Sequence, residues 1–134
     1  MLPWWRDREG DMVEGALTLP LLTLITLAFC NLALAGYVSI LANNAAAYGA
    51  RVGSVAQRNA GDLAADAARE AVIERYGRYV TAVEVTAGDP GDLVVVRVRW
   101  QVPNFFAGAL RLLGGPLTGP IAGVAQSAFV KEGW

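Results

Sequence analysis

The chain contains no histidine, a single cysteine and, between Glu14 and Arg51, no charged residue at all. Without histidine it lacks the commonest general base and the commonest metal ligand. Cys30 cannot form an internal disulfide; lying inside an apolar run, it reads as a small packing residue and carries no information about redox compartment. Eleven basic residues against twelve acidic ones give a net charge of −1, so there is no basic field to hold nucleic acid. No nucleophile–base set, metal-ligand cluster or phosphate-cradling glycine loop stands out. The stretch GGPLTG, Gly114 to Gly119, lacks the lysine of a phosphate loop and does not follow a strand. No enzymatic activity and no cofactor is expected, and 134 residues leave room for one small domain.

Apolar residues are abundant, at 54% of the chain with a mean hydropathy of +0.38. They concentrate in residues 15–42, a 28-residue run without charge that begins directly after Glu14. About 20 apolar residues suffice to cross a bilayer as a helix. The one strong polar interruption is Asn31, and Pro20 near the start is of a kind that membrane helices tolerate. Two other readings exist. One is the buried helix of a soluble fold, for which the remaining chain offers too little structure to wrap it. The other is a secretory signal cut near Ala33 to Gly36, where small residues stand at the peptidase positions. Against the latter, Arg6 and Arg8 are outnumbered by Asp7, Glu9, Asp11 and Glu14, and the run continues past Ala35. Arg6 and Arg8 on one side and Arg51 and Arg58 on the other leave the orientation of a span undecided.

Residues 42–60 read as a continuation of the helix, with Gly61 breaking the pattern. Ala45, Gly49 and Gly53 fall on one face, where the absence of side chains lets another helix come close, from the same chain or from another subunit. A second helix is expected over 62–76, with Asp62 as N-cap and Gly77 as C′ residue. Leu63, Ala67, Ile73 and Tyr76 would form its buried side; Asp66, Arg69, Glu70, Glu74 and Arg75 would be solvated. The period then changes to two. Thr81, Val83 and Val85 alternate within 78–88, residues 89–92 (DPGD) form a turn, and 93–102 alternate with Val94, Val96, Val98, Trp100 and Val102 on one face. Arg97, Arg99 and Gln101 give that hairpin a wet face. Residues 103–120 are apolar and rich in glycine and proline, either a membrane-lying loop or a short helix around Phe105 to Leu113; 121–132 read as a third strand. The expected fold is α+β: a long N-terminal transmembrane helix continuing beyond the membrane, then a second helix packed on a small antiparallel sheet of about three strands.

The order of these elements resembles the TadE-like family, small pseudopilins of tight-adherence (Flp-type) pilus systems. The resemblance rests on Val13-Glu14-Gly15-Ala16-Leu17, on Pro20 within the apolar run, on the alanine-rich helix closing at Gly49-Ala50-Arg51, and in outline on the final SAFVKE. Gly15 stands where the family usually has an aromatic residue. A pilin-type cut after Gly10 would make Glu14 the fourth mature residue instead of the fifth, whereas a cut after Glu9 restores the spacing but loses the glycine.

The resemblance implies a pilin-like structural subunit with three parts: a leader over 1–10 removed between Gly10 and Asp11 by a prepilin-type peptidase, a transmembrane and extended helix over 11–60, and a small extracytoplasmic domain over 61–134. The protein would sit in the bacterial cytoplasmic membrane and serve adhesion or secretion. Its partners would be other pilin-like subunits and pilus assembly proteins, met through Glu14 and through the face of Ala45, Gly49 and Gly53. Glu14 would then meet the N-terminal amine of a neighbouring subunit; the alternative is a solvated carboxylate at headgroup level. A membrane-tethered extracytoplasmic binding module unrelated to pili is the other functional reading.

Overall fold

The computed structural model describes residues 6–76, 82–88, 91–112, 114–115 and 119–132. The elements are helix α1 (Arg6–Ser54), helix α2 (Ala60–Tyr76), strand β1 (Ala82–Gly88), strand β2 (Leu93–Val102), helix α3 (Phe105–Leu112) and strand β3 (Ile121–Val130). The fold is α+β, with a long apolar N-terminal helix followed by a helix and a three-stranded antiparallel sheet, as the sequence leads one to expect. β2 is the central strand, paired with β1 on one side and β3 on the other.

The uncharged run divides into two halves with different surroundings. Around Asn31 the helix passes from isolation into the core. Below it, Leu17, Leu19, Leu21, Leu22, Ile25 and Phe29 are all exposed. Two threonines in this half satisfy their own hydroxyls: Thr23 Oγ1 donates to the Leu19 carbonyl and Thr26 Oγ1 to that of Leu22, both at 2.8 Å. A helix that closes its polar groups internally is compatible with an apolar solvent. Above the junction, Asn31, Ala35, Val38, Ala42, Ala45 and Gly49 are buried at alternating spacings of four and three, and Gly53 is buried four residues further on. That repeat keeps one stripe of a helix facing one partner surface. Here the surface is the inner face of the sheet together with α2.

On β2, Val94, Val96, Val98, Trp100 and Val102 are buried, while Arg97, Arg99 and Gln101 are exposed. Each buried valine contributes on the order of 1.5–3 kcal/mol relative to exposure. On the wet face Arg97 Nε donates to Gln126 Oε1 at 3.0 Å, and Arg99 faces Glu84 across the β1–β2 ladder at 3.6 Å. Trp100 needs a vacancy beside it: its register partner is Gly123, and a Cβ there would collide with the indole ring.

Four details of α1 and α2 differ from expectation. α1 ends at Ser54, so the break precedes Gly61, which lies inside α2. α2 begins at Ala60 after Asn59, whose φ of 51° turns the chain and whose carbonyl accepts from Leu63 N. Asp62 is therefore in the first turn and not at the N-cap. The buried side of α2 is Ala60, Ala64, Ala65, Ala68 and Val72; Leu63 and Ile73 are exposed, and Ala67 is half-buried. Two helices this close can bury only small side chains between them, so the larger apolar residues are turned outward. The side chain of Tyr76, and Gly77, lie outside the described residues.

Candidate functional site

The sheet stands along α1 with a defined top and bottom. At the top, Gly53 lies against Val94, and Glu132 N donates to the Ser54 carbonyl at 3.0 Å. At the bottom, β2 ends at Val102 and the chain turns into α3, which is pinned to Asn31. Asn31 is 2% exposed and uses both ends of its amide: Nδ2 donates to Asn104 Oδ1 at 3.1 Å, and Oδ1 accepts from Phe105 N at 3.1 Å. Asn104 is also the N-cap of α3, its Oδ1 accepting from Ala107 N at 3.0 Å, while its Nδ2 donates to the Gly119 carbonyl at 3.3 Å. The polar interruption of the apolar run thus marks where α1 stops being bare. Replacing Asn31 by leucine leaves Phe105 N–H without this acceptor, and a buried polar group left unsatisfied costs about 1–3 kcal/mol. The expected result is a lower melting temperature in detergent and faster proteolysis within 103–120; an unchanged melting temperature and digestion pattern would remove the pin.

Gly10, Asp11 and Glu14 all lie within α1, four turns or more below Asn31. Gly10 and Glu14 are exposed, and nothing lies within 4 Å of a Cβ placed on Gly10. From Glu14 to Asn31 the helix rises about 25 Å at 1.5 Å per residue, close to the roughly 30 Å of a bilayer core. Cys30 is exposed on this bare half and does not pack inside the chain.

Ala45, Gly49 and Gly53 face the chain's own α2. A Cβ on Gly49 would stand 2.5 Å from the Ala64 carbonyl oxygen and 2.7 Å from Ala68 Cβ. One on Gly53 would meet the Ala60 carbonyl oxygen at 2.7 Å and Val94 Cγ1 at 2.8 Å. The close approach that these small residues permit is occupied by α2 with the top of β2.

Sequence reasoning did not identify the Asn31–Asn104 pair. A Pro-Asn before an apolar segment signals an N-cap at Asn104, but no local signal joins positions 73 residues apart. Among the described residues, no group of three or more His, Cys, Asp or Glu side chains is arranged to hold a metal ion. The described residues hold one helix long and apolar enough to cross a membrane, with only 6% of its most apolar stretch buried, carrying a compact domain at one end and a carboxylate at the other. No curated protein and no solved structure matches the chain. The model of the TadE-like protein family matches residues 12–51, a stretch of α1 that holds Glu14, the bare half and the packing stripe from Asn31 to Gly49.

Proposed function

We propose that the protein is a minor pilin-like subunit, a pseudopilin, of a tight-adherence pilus assembly system, anchored in the cytoplasmic membrane by the lower half of α1 with the sheet domain outside. The carrying observation is that the TadE-like match falls on a helix whose lower half is bare and whose upper half is built into the domain. Its role is structural: an anchored helix presents a folded domain to other subunits of the assembly. A membrane partner and pilin-like partners follow from this reading, and so does a prepilin-type peptidase acting after Gly10.

Glu14 gives the reading its chemistry. A carboxylate within the bilayer costs on the order of 2.5–3.5 kcal/mol at the centre and less near the edge. The ammonium of a neighbouring subunit's processed N-terminus would offset this cost and fix the register between helices. N-terminal sequencing and intact mass of the membrane-extracted protein are expected to show a mature chain starting at Asp11, with Gly10→Val blocking processing. Glu14→Gln is expected to leave membrane insertion unchanged and to reduce co-purification with other pilus components at least tenfold, the loss of about 1.4 kcal/mol. A mature chain beginning at Gly36 would mean secretory cleavage and would end the pilin reading.

A further inference from the structure

We propose that α3 is a membrane foot: a short amphipathic helix that lies in the outer lipid interface beside the emerging span and sets how deeply α1 is immersed. The inference rests on the membrane reading above. Three observations carry it. The first is level. α3 is bonded to α1 at Asn31, about 25 Å above Glu14, so a bilayer core entered near Glu14 ends at or just beyond α3.

The second is the character of its outward face. At 100° per residue, Phe105, Gly108 and Leu112 share one side of the helix, opposite the inward flank of Phe106, Ala107 and Leu110. Phe105 is 54% exposed and Leu112 89% exposed. Arg111, also exposed, flanks that side and is the only charged residue from 100 to 130. A helix with an apolar outward face and a single cation, next to a bare apolar span, continues the lipid-facing surface sideways. Its arginine is of the sign that anionic headgroups attract.

The third is backbone closure. Asn104 caps the N-terminus. At the other end Gly114, with φ of 76°, donates to the Arg111 carbonyl at 3.1 Å, and Gly115 donates to the Leu110 carbonyl at 2.9 Å. This paired closure satisfies carbonyls that would otherwise need water, as an element placed at the edge of the bilayer requires. α3 is thereby explained as a lipid-contacting element that also orients the sheet relative to the membrane.

The test uses the full chain carrying Cys30→Ala, reconstituted at low density in vesicles of phosphatidylethanolamine and phosphatidylglycerol. Single nitroxide labels are placed at L112C, at I25C in the bare span and at I73C on the outward side of α2. Collision with oxygen, which concentrates in lipid, is compared with collision with a water-soluble nickel chelate. The oxygen-to-nickel ratio is expected to be several-fold higher at positions 112 and 25 than at 73. If position 25 is shielded from nickel while 112 behaves like 73, the foot is wrong and the span stands. If 25 also behaves like 73, the membrane reading itself fails. Shielding of 112 that comes with spin–spin broadening and vanishes on dilution of the protein would mean a second copy covers α3, and would overturn the lipid assignment.

Discussion

Gly49→Leu combined with Gly53→Leu is expected to prevent accumulation of the folded protein, while Gly36→Leu on the same helix is expected to be tolerated. At Gly49 and Gly53 the obstacles to a side chain include backbone carbonyl oxygens of α2 at 2.5 and 2.7 Å, which cannot rotate away as a flexible side chain could. A leucine therefore has to separate α1 from α2, and with them the seam of Ala60, Ala64 and Ala68. Overpacking a tight core typically costs 1–3 kcal/mol and occasionally more, and a rigid helix pair stands at the upper end, about 3 kcal/mol per site. Against a total stability of roughly 5–15 kcal/mol, the double variant is expected to be degraded. At Gly36 nothing lies within 4 Å of an added Cβ, so the same change on the same helix controls for composition and helix propensity. Steady-state level and melting temperature in detergent provide the measurement. Wild-type levels of the double variant would mean that α2 does not sit against this stripe.

Leu22→Arg combined with Ile25→Arg is expected to remove the protein from the carbonate-resistant membrane fraction without damaging the domain. Both residues are exposed, Leu22 at 57% and Ile25 at 45%, and both lie well below Asn31, to which Asn104 and Phe105 are bonded. Arginine near the centre of a span costs about 2.5–3.5 kcal/mol on the insertion scale. In water the same two substitutions would replace exposed apolar side chains by solvated ones and cost almost nothing. The sign of the effect therefore reports the surroundings of the bare half of α1. Unchanged membrane association of the double variant would show that this half does not cross lipid.

The fold class, the long helix, the two-residue alternation of β2 and its wet face were all legible because each is a local periodicity. Val94 to Val102 can pack only one way once every second residue is apolar, and a charge-free run longer than a bilayer can be read without a partner. The element boundaries were less legible. Asp62 has the chemistry of an N-cap, yet α2 starts two residues earlier because Asn59 makes the turn. The inward side of α2 differs from expectation for a physical reason: large apolar side chains ordinarily face a core, but here the inward side is four alanines and Val72, and Leu63 and Ile73 are outside.

By itself the sequence determined that this protein has one apolar helix able to cross a membrane, a carboxylate at its foot, a helix and a sheet of about three strands behind it, and an N-terminal segment that resembles the TadE-like family. Only the tertiary structure decided where the bare helix ends. The apolar run continues on both sides of Asn31 as far as Ala42, and apolar character alone does not distinguish Phe29, which is exposed, from Val38, which is 1% exposed within the core. The tertiary structure likewise decided that Asn31 receives α3 and that the small-residue face receives α2. Apolar surface is read by lipid and by protein in the same terms, so the difference lies in contacts between residues far apart in the chain and not in the residues themselves.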